Sequence, residues 1–257
     1  MREEIHAEDF KNRELPAELR PGQPGAAVPT SPDASSGAEE AQRESDQAPA
    51  SEDAALSQLK NRDLAPDAIE EISRNSGLMK SRKVRMAMAS HPRTPRRLAL
   101  RVIRELYTFE LMQFALGLTA STDLRRVADE LLLARLTSIT PGERISLARR
   151  SSQVVAGGLL LDKENAVWQA ALENPRLTEA AVVRALQRST AMPAFVEAVS
   201  HHAKWSVRTE IRIALLRSAY TPLGRALEFA QRLRPAQLRD ILHTSRLPEK
   251  IKQCLRK

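Results

Sequence analysis

Residues 167–186 read VWQAALENPRLTEAAVVRAL, and their reading decides the fold class. Val167, Ala170, Ala171 and Leu172 recur at helical spacing and form one apolar face. Pro175 ends that helix, because its ring lacks an amide hydrogen and drives Asn174 out of the helical region. Leu177 and Thr178 restart the chain, with Thr178 placed to cap a second helix over 179–188. Other stretches fall into register on this corner. Val84, Val167 and Ile211 stand seven residues before His91, Asn174 and Ser218, and Ala87, Ala170 and Ala214 share one slot. Pro92, Thr94 and Pro95 follow His91, and Thr221 and Pro222 follow Ser218. The chain repeats itself, and the repeated unit is helical.

Outward from this stretch the same signals continue. Helices are expected over 55–60 and 67–74, with Pro66 at the start of the second, where its missing donor costs nothing. The first two triplets are 79–90, 95–106 and 108–117, then 123–136, 141–150 and 153–160. Two more are 163–173, 179–188 and 193–201, then 206–217, 222–233 and 235–243, and a closing helix spans 248–256. Thr140-Pro-Gly-Glu143 is a capping box, in which Thr and Glu satisfy each other's orphan amides. The triplets begin near residues 79, 122, 163 and 205, a period of roughly 42. Each triplet carries too little apolar surface to stand alone, so stacking supplies one core. The expected fold is therefore all-α: a right-handed α-solenoid of about four three-helix repeats with partial end repeats.

The period and three-helix plan resemble the armadillo/HEAT class. The corner (helix, Asn-Pro or His-Pro, x-Thr-Pro, helix) is similar to the leucine-rich repeat variant family, over about residues 55–257. That family includes members with a cysteine-ligated iron–sulfur module ahead of the repeats. This chain has only Cys254, so the resemblance carries over no cofactor.

Among 257 residues there are only 9 Gly and few aromatics, a balance that favours helix over sheet. A single cysteine excludes a disulfide framework. The polar N-terminus has no apolar h-region, and Val154–Leu161 is too short to span a membrane, so a soluble cytoplasmic protein is expected. Charge is split along the chain. Residues 1–56 hold 5 Lys/Arg against 13 Asp/Glu, and residues 57–257 hold 35 against 19. Residues 1–54 read as a disordered acidic tail, because the Pro-, Gly-, Ser- and Glu-rich stretch 21–50 has too little apolar surface to order. Ile5, Phe10, Leu15 and Leu19 leave a transient helix or docking motif open over residues 2–20. Residues 55–257 form the expected helical-repeat domain.

No catalytic pattern stands out, and the chain is expected not to be an enzyme. His201 and His202 point about 100° apart on a helix and lack neighbouring ligands at a regular spacing, so they read as helix-end residues rather than metal ligands. His91 reads as a turn residue. Gly157 and Gly158 sit in an apolar helix without the spacing of a phosphate loop and are expected to let helices approach or to kink one. Trp168 and Trp205 are expected to seal joints between repeats rather than stack on bases. No metal or cofactor site is expected.

Arginine carries the functional signal. Arg85, Arg93, Arg96, Arg97, Arg101 and Arg104 follow one another closely, and Arg97, Arg101 and Arg104 share a helical face. Arg184 and Arg188, then Arg208 and Arg212, repeat the pattern. A basic stripe suited to bidentate capture of carboxylate or phosphate is expected, with an acidic protein segment as partner, unless the arginines are an ordinary solvated surface. The acidic tail is a candidate tether or competitor for that surface. The alternative partner is nucleic acid. HEAT-like DNA glycosylases resemble this chain in being basic helical solenoids, but the acidic catalytic residue they need beside cleft aromatics has no assignable counterpart here.

Overall fold

The computed structural model describes residues 51–256, and these hold sixteen helices and no strand. The expected disorder and docking motif of the tail lie outside the described residues, except that residues 52–54 are helical. The first helices are α1 (Glu52–Lys60), α2 (Pro66–Arg74), α3 (Ser76–Lys80) and α4 (Arg82–Ser90). They are followed by α5 (Arg96–Glu105), α6 (Thr108–Leu116), α7 (Thr122–Arg135) and α8 (Pro141–Arg150). Next come α9 (Gln153–Leu159), α10 (Asn165–Leu172), α11 (Glu179–Gln187) and α12 (Pro193–His201). The last are α13 (Thr209–Arg217), α14 (Leu223–Ala230), α15 (Pro235–Thr244) and α16 (Glu249–Arg256).

Local chemistry explains the boundaries. The capping box of α8 forms: Glu143 N–H donates to Thr140 Oγ1 at 3.3 Å, and Thr140 N–H donates to Glu143 Oε2 at 2.9 Å. The helix expected over 79–90 is instead divided at Ser81, whose backbone is extended and whose hydroxyl caps α4 by accepting from Val84 N–H. The helix expected from 206 starts at Thr209, because 203–207 form turns around Trp205. Thr178 occupies the cap position of α11, but its hydroxyl makes no cap hydrogen bond. The threonines of the Thr94-Pro95 and Thr221-Pro222 corners turn backwards: Thr94 Oγ1 donates to Met88 O at 2.7 Å and Thr221 Oγ1 to Leu215 O at 2.6 Å. Each thereby satisfies a carbonyl in the last turn of the preceding helix.

The corner residue itself does two jobs. Asn61, His91, Asn174, His202, Ser218 and Ser245 each accept a hydrogen bond from the backbone N–H two residues on, which fixes the turn. Several also donate to an earlier helix end. His91 Nε2 reaches Asn61 O at 2.9 Å, Asn174 Nδ2 reaches Ala148 O at 2.7 Å, and Ser245 Oγ reaches Leu216 O at 2.6 Å. Because His91 Nδ1 accepts from Arg93 N–H, the ring proton sits on Nε2, and the same logic holds for His202 against Glu173. His91 and Asn174 are buried, so these contacts replace water that cannot reach them.

Packing follows chain order. Beyond chain neighbours, α5 meets α7, α7 meets α9, α9 meets α11, α11 meets α13, and α13 meets α15. A second series pairs α4 with α6, α8 with α10, α10 with α12, and α14 with α16. These contacts step by two helices, while α1 packs against α4, three helices on. Successive members of the first series start at residues 96, 122, 153, 179, 209 and 235.

Trp168 and Trp205 are both buried. Trp168 meets Phe195 edge-on at 5.7 Å, joining α10 to α12, and Trp205 Nε1 donates to Leu172 O at 2.9 Å. The glycine pair lets helices approach. A Cβ at Gly158 would stand 2.5 Å from Leu133 Cδ2, and one at Gly157 would stand 3.3 Å from Ala181 Cβ.

Candidate functional site

The arginines singled out by spacing fall into three environments. The first is an intramolecular ion pair in water. Arg93 meets Asp63 at 2.9 Å and Arg97 meets Glu70 at 2.7 Å; Arg96 pairs with Asp123, and Arg208 meets Glu179 at 3.1 Å. These partners come from other helices or loops. The hydrogen bond from Arg97 holds the Glu70 carboxyl below its ordinary range and raises the guanidinium in turn. Arg96 lowers Asp123 in the same way, with Arg126 adding to it. The second environment is partial burial. Arg85 lies beside the Tyr107 ring at 5.7 Å, with Arg82 at 4.5 Å. Arg212 Nε donates to Ser206 O at 2.8 Å, and burial pulls its pKa down, helped by the charge of Arg232.

The third environment is free. Arg101, Arg104 and Arg188 are exposed, and among the described residues their guanidinium groups have no hydrogen bond or ion pair. Arg184 is exposed and donates only to Ala180 O, one turn back on its own helix. Arg101 and Arg104 do share one face of α5, opposite buried Leu98, Ala99, Val102 and Ile103. Arg97 and Arg101 line a groove with Arg74 and Glu70. Arg184 and Arg188 line a separate groove between α9 and α11, floored by Gly157, Gly158 and Leu161.

Spacing on single helices missed one grouping. Arg217 and Arg246 line a cleft together with Arg188, at the ends of α11, α13 and α15. The signal was present in the sequence as two equal steps of 29 residues, 188 to 217 and 217 to 246.

Other candidates have structural employment. His202 caps α12 and faces Glu173 at 3.1 Å, and His201 ends the same helix with Nδ1 3.0 Å from Glu197 O. Asp129 is buried on α7 and accepts from Ser152 Oγ at 2.6 Å. Burial raises its pKa, opposed by that hydrogen bond and by Arg125. Cys254 is exposed on α16. No helix among the described residues is long and apolar enough to cross a membrane. No family model, curated protein or solved structure matches this chain.

Proposed function

We propose that this chain is a non-enzymatic interaction protein. In this reading its helices form an α-solenoid whose unit is a helix pair of about 28 residues, and an arginine-bearing face takes up an acidic protein segment. The two-helix step of the packing supports the helix pair over the triplet. One observation carries the functional reading: the guanidinium groups of exposed Arg101, Arg104 and Arg188 have no partner among the described residues, while Arg93, Arg96, Arg97 and Arg208 are engaged by carboxylates of the chain itself. Guanidinium groups are suited to carboxylates, and Arg93, Arg96, Arg97 and Arg208 each already pair with one in this chain.

Nucleic acid is the second reading, favoured by the 35 Lys/Arg against 19 Asp/Glu of residues 57–257. Binding of a labelled polyglutamate and of a labelled DNA duplex across a salt series separates the two. The proposal expects polyglutamate to bind and duplex DNA to bind weakly. Tighter binding of DNA, with log affinity falling steeply and linearly with log salt, overturns it in favour of phosphate neutralisation.

A further inference from the structure

Arg188, Arg217 and Arg246 border one cleft of about 400 Å³ at the ends of α11, α13 and α15. All three are exposed, and none has a hydrogen bond or ion pair through its guanidinium among the described residues. No carboxylate lines the cleft, whereas Glu70 lines the α5 groove and engages Arg97 there. The end of α15 is fastened to the end of α13: Ser245 Oγ donates to Leu216 O at 2.6 Å, and Arg246 N–H donates to Arg217 O at 3.0 Å. Arg217 and Arg246 therefore leave the backbone at neighbouring points and border the same cleft. Ser189 and half-exposed Tyr220 also line it, and neither hydroxyl has a partner among the described residues. The helix dipole favours a cation at each of these C-terminal ends. It gives no reason for three of them to meet at one cleft with no carboxylate among them.

The donor set selects the ligand. A carboxylate offers two oxygens and a single charge. A phosphate monoester offers three free oxygens and a charge of about −1.5 to −2 at neutral pH. Three guanidinium groups, each a planar fork of N–H donors, together with two hydroxyls, match the phosphate better. Arg188 also lines the groove between α9 and α11, which has apolar walls from Val154, Leu161, Ala181 and Ala185. No aromatic side chain lines that groove, so it offers bases no platform for stacking, while an apolar side chain finds a seat in it. We infer that the cleft takes up a phosphorylated serine or threonine of a partner polypeptide, with an apolar residue of the same segment lodged in the adjoining groove. The inference rests on the reading that the partner is an acidic protein segment, and it names the site and the group recognised there.

The test measures fluorescence anisotropy of labelled peptides with the full chain. One peptide carries phosphoserine between flanking leucines, a second carries two glutamates in its place for equal charge, and a third carries plain serine. The phosphopeptide should bind more than about tenfold tighter than the serine peptide, and tighter than the glutamate peptide. Arg188→Gln, Arg217→Gln and Arg246→Gln should each weaken it by about two- to fivefold, as for exposed ion pairs, and the triple variant by more than about tenfold. Arg101→Gln with Arg104→Gln should leave it unchanged, and exchanging the leucines for glycine should weaken it by about threefold or more. The peptide comparison uses the unaltered protein and so does not depend on how the variants fold. Equal affinity for the phosphopeptide and the glutamate peptide overturns the phosphate and keeps the acidic-partner reading. So does failure of the phosphopeptide where polyglutamate binds. Undiminished binding by the triple variant removes the cleft, and indifference to the leucines removes the groove. Displacement by inorganic phosphate at the concentration at which unlabelled phosphopeptide displaces overturns the polypeptide source. Displacement by a single-stranded oligonucleotide of equal charge at lower concentration overturns it in favour of nucleic acid. Failure of every peptide and of polyglutamate overturns both this inference and the proposed function.

Discussion

Around α5, ties between helices are ion pairs bathed in water: Arg93 to Asp63, Arg96 to Asp123, Arg97 to Glu70. Around α10 they are an amide, an indole and an aromatic pair shut away from it: Asn174 to Ala148 O, Trp205 to Leu172 O, Trp168 against Phe195. Both sets bridge similar distances along the chain. Asn174 reaches back 26 residues and Arg97 reaches back 27. Their energetics differ. Exposed ion pairs are screened and exchange with water, and many contribute nothing measurable. A buried donor that loses its acceptor forfeits its full desolvation penalty. The α10 region therefore holds the fold, whereas the α5 region lends its charges to it reversibly.

The largest expected effect is at Trp168. Trp168→Ala removes a side chain only 1% exposed and should cost about 3–5 kcal/mol in urea unfolding. Trp168→Phe should cost much less, because the indole nitrogen has no hydrogen-bond partner to lose. Next comes Asn174→Ala. It strands Ala148 O, Ser151 O and Arg176 N–H and should cost about 2–3 kcal/mol by the same measurement. A loss no greater than that of an α5 ion pair breaks the comparison.

Acid sharpens it further, because the two kinds of carboxylate respond with opposite sign. Glu70 and Asp123 have lowered folded-state pKa values, so what they add is present above the ordinary carboxylate range and disappears as pH falls through the folded values. Asp129 is raised by burial, so it favours folding when protonated, and that contribution is lost as pH rises through its folded value. Asp129→Asn keeps an acceptor for Ser152 Oγ and should raise the thermal midpoint at neutral pH while leaving it unchanged in acid. A midpoint lowered at neutral pH refutes this account. The smallest effect belongs to Asp63→Asn, which should leave the thermal midpoint within error, since both side chains of its pair are at least half exposed.

Helix positions were legible because proline, apolar periodicity and the Thr140–Glu143 box act within a few residues of one another. Both tryptophans and the Gly157–Gly158 pair were legible for the same reason: their size, or lack of it, limits what they can do. The step of the packing was harder to read. His91 and Asn174 end α4 and α10, which belong to one series, while Ser218 ends α13, which belongs to the other. Corner chemistry of this kind ends helices in both sets of contacts, so aligning on corners does not by itself fix how many helices make one unit. The ion-pair partners of the arginines were hidden too. Asp63, Glu70, Asp123 and Glu179 lie 27 to 30 residues from the arginines they engage, beyond any spacing rule for a single helix. Spacing showed which arginines share a helix face, but not which ones the chain neutralises.

The backward reach of His91, Asn174 and Ser245 gives the molecule a grain, like that of overlapping roof tiles. Each later corner shelters an earlier carbonyl: Asn61 O, Ala148 O and Leu216 O all lie under a side chain that comes after them. Trimming from the front would free an imidazole that can swing toward solvent. Trimming from the back would uncover Leu216 O, a backbone acceptor in a buried contact that cannot swing away. The later corner is thus the roof and the earlier carbonyl the sheltered ground, and Leu216 O stays dry only while Ser245 remains over it.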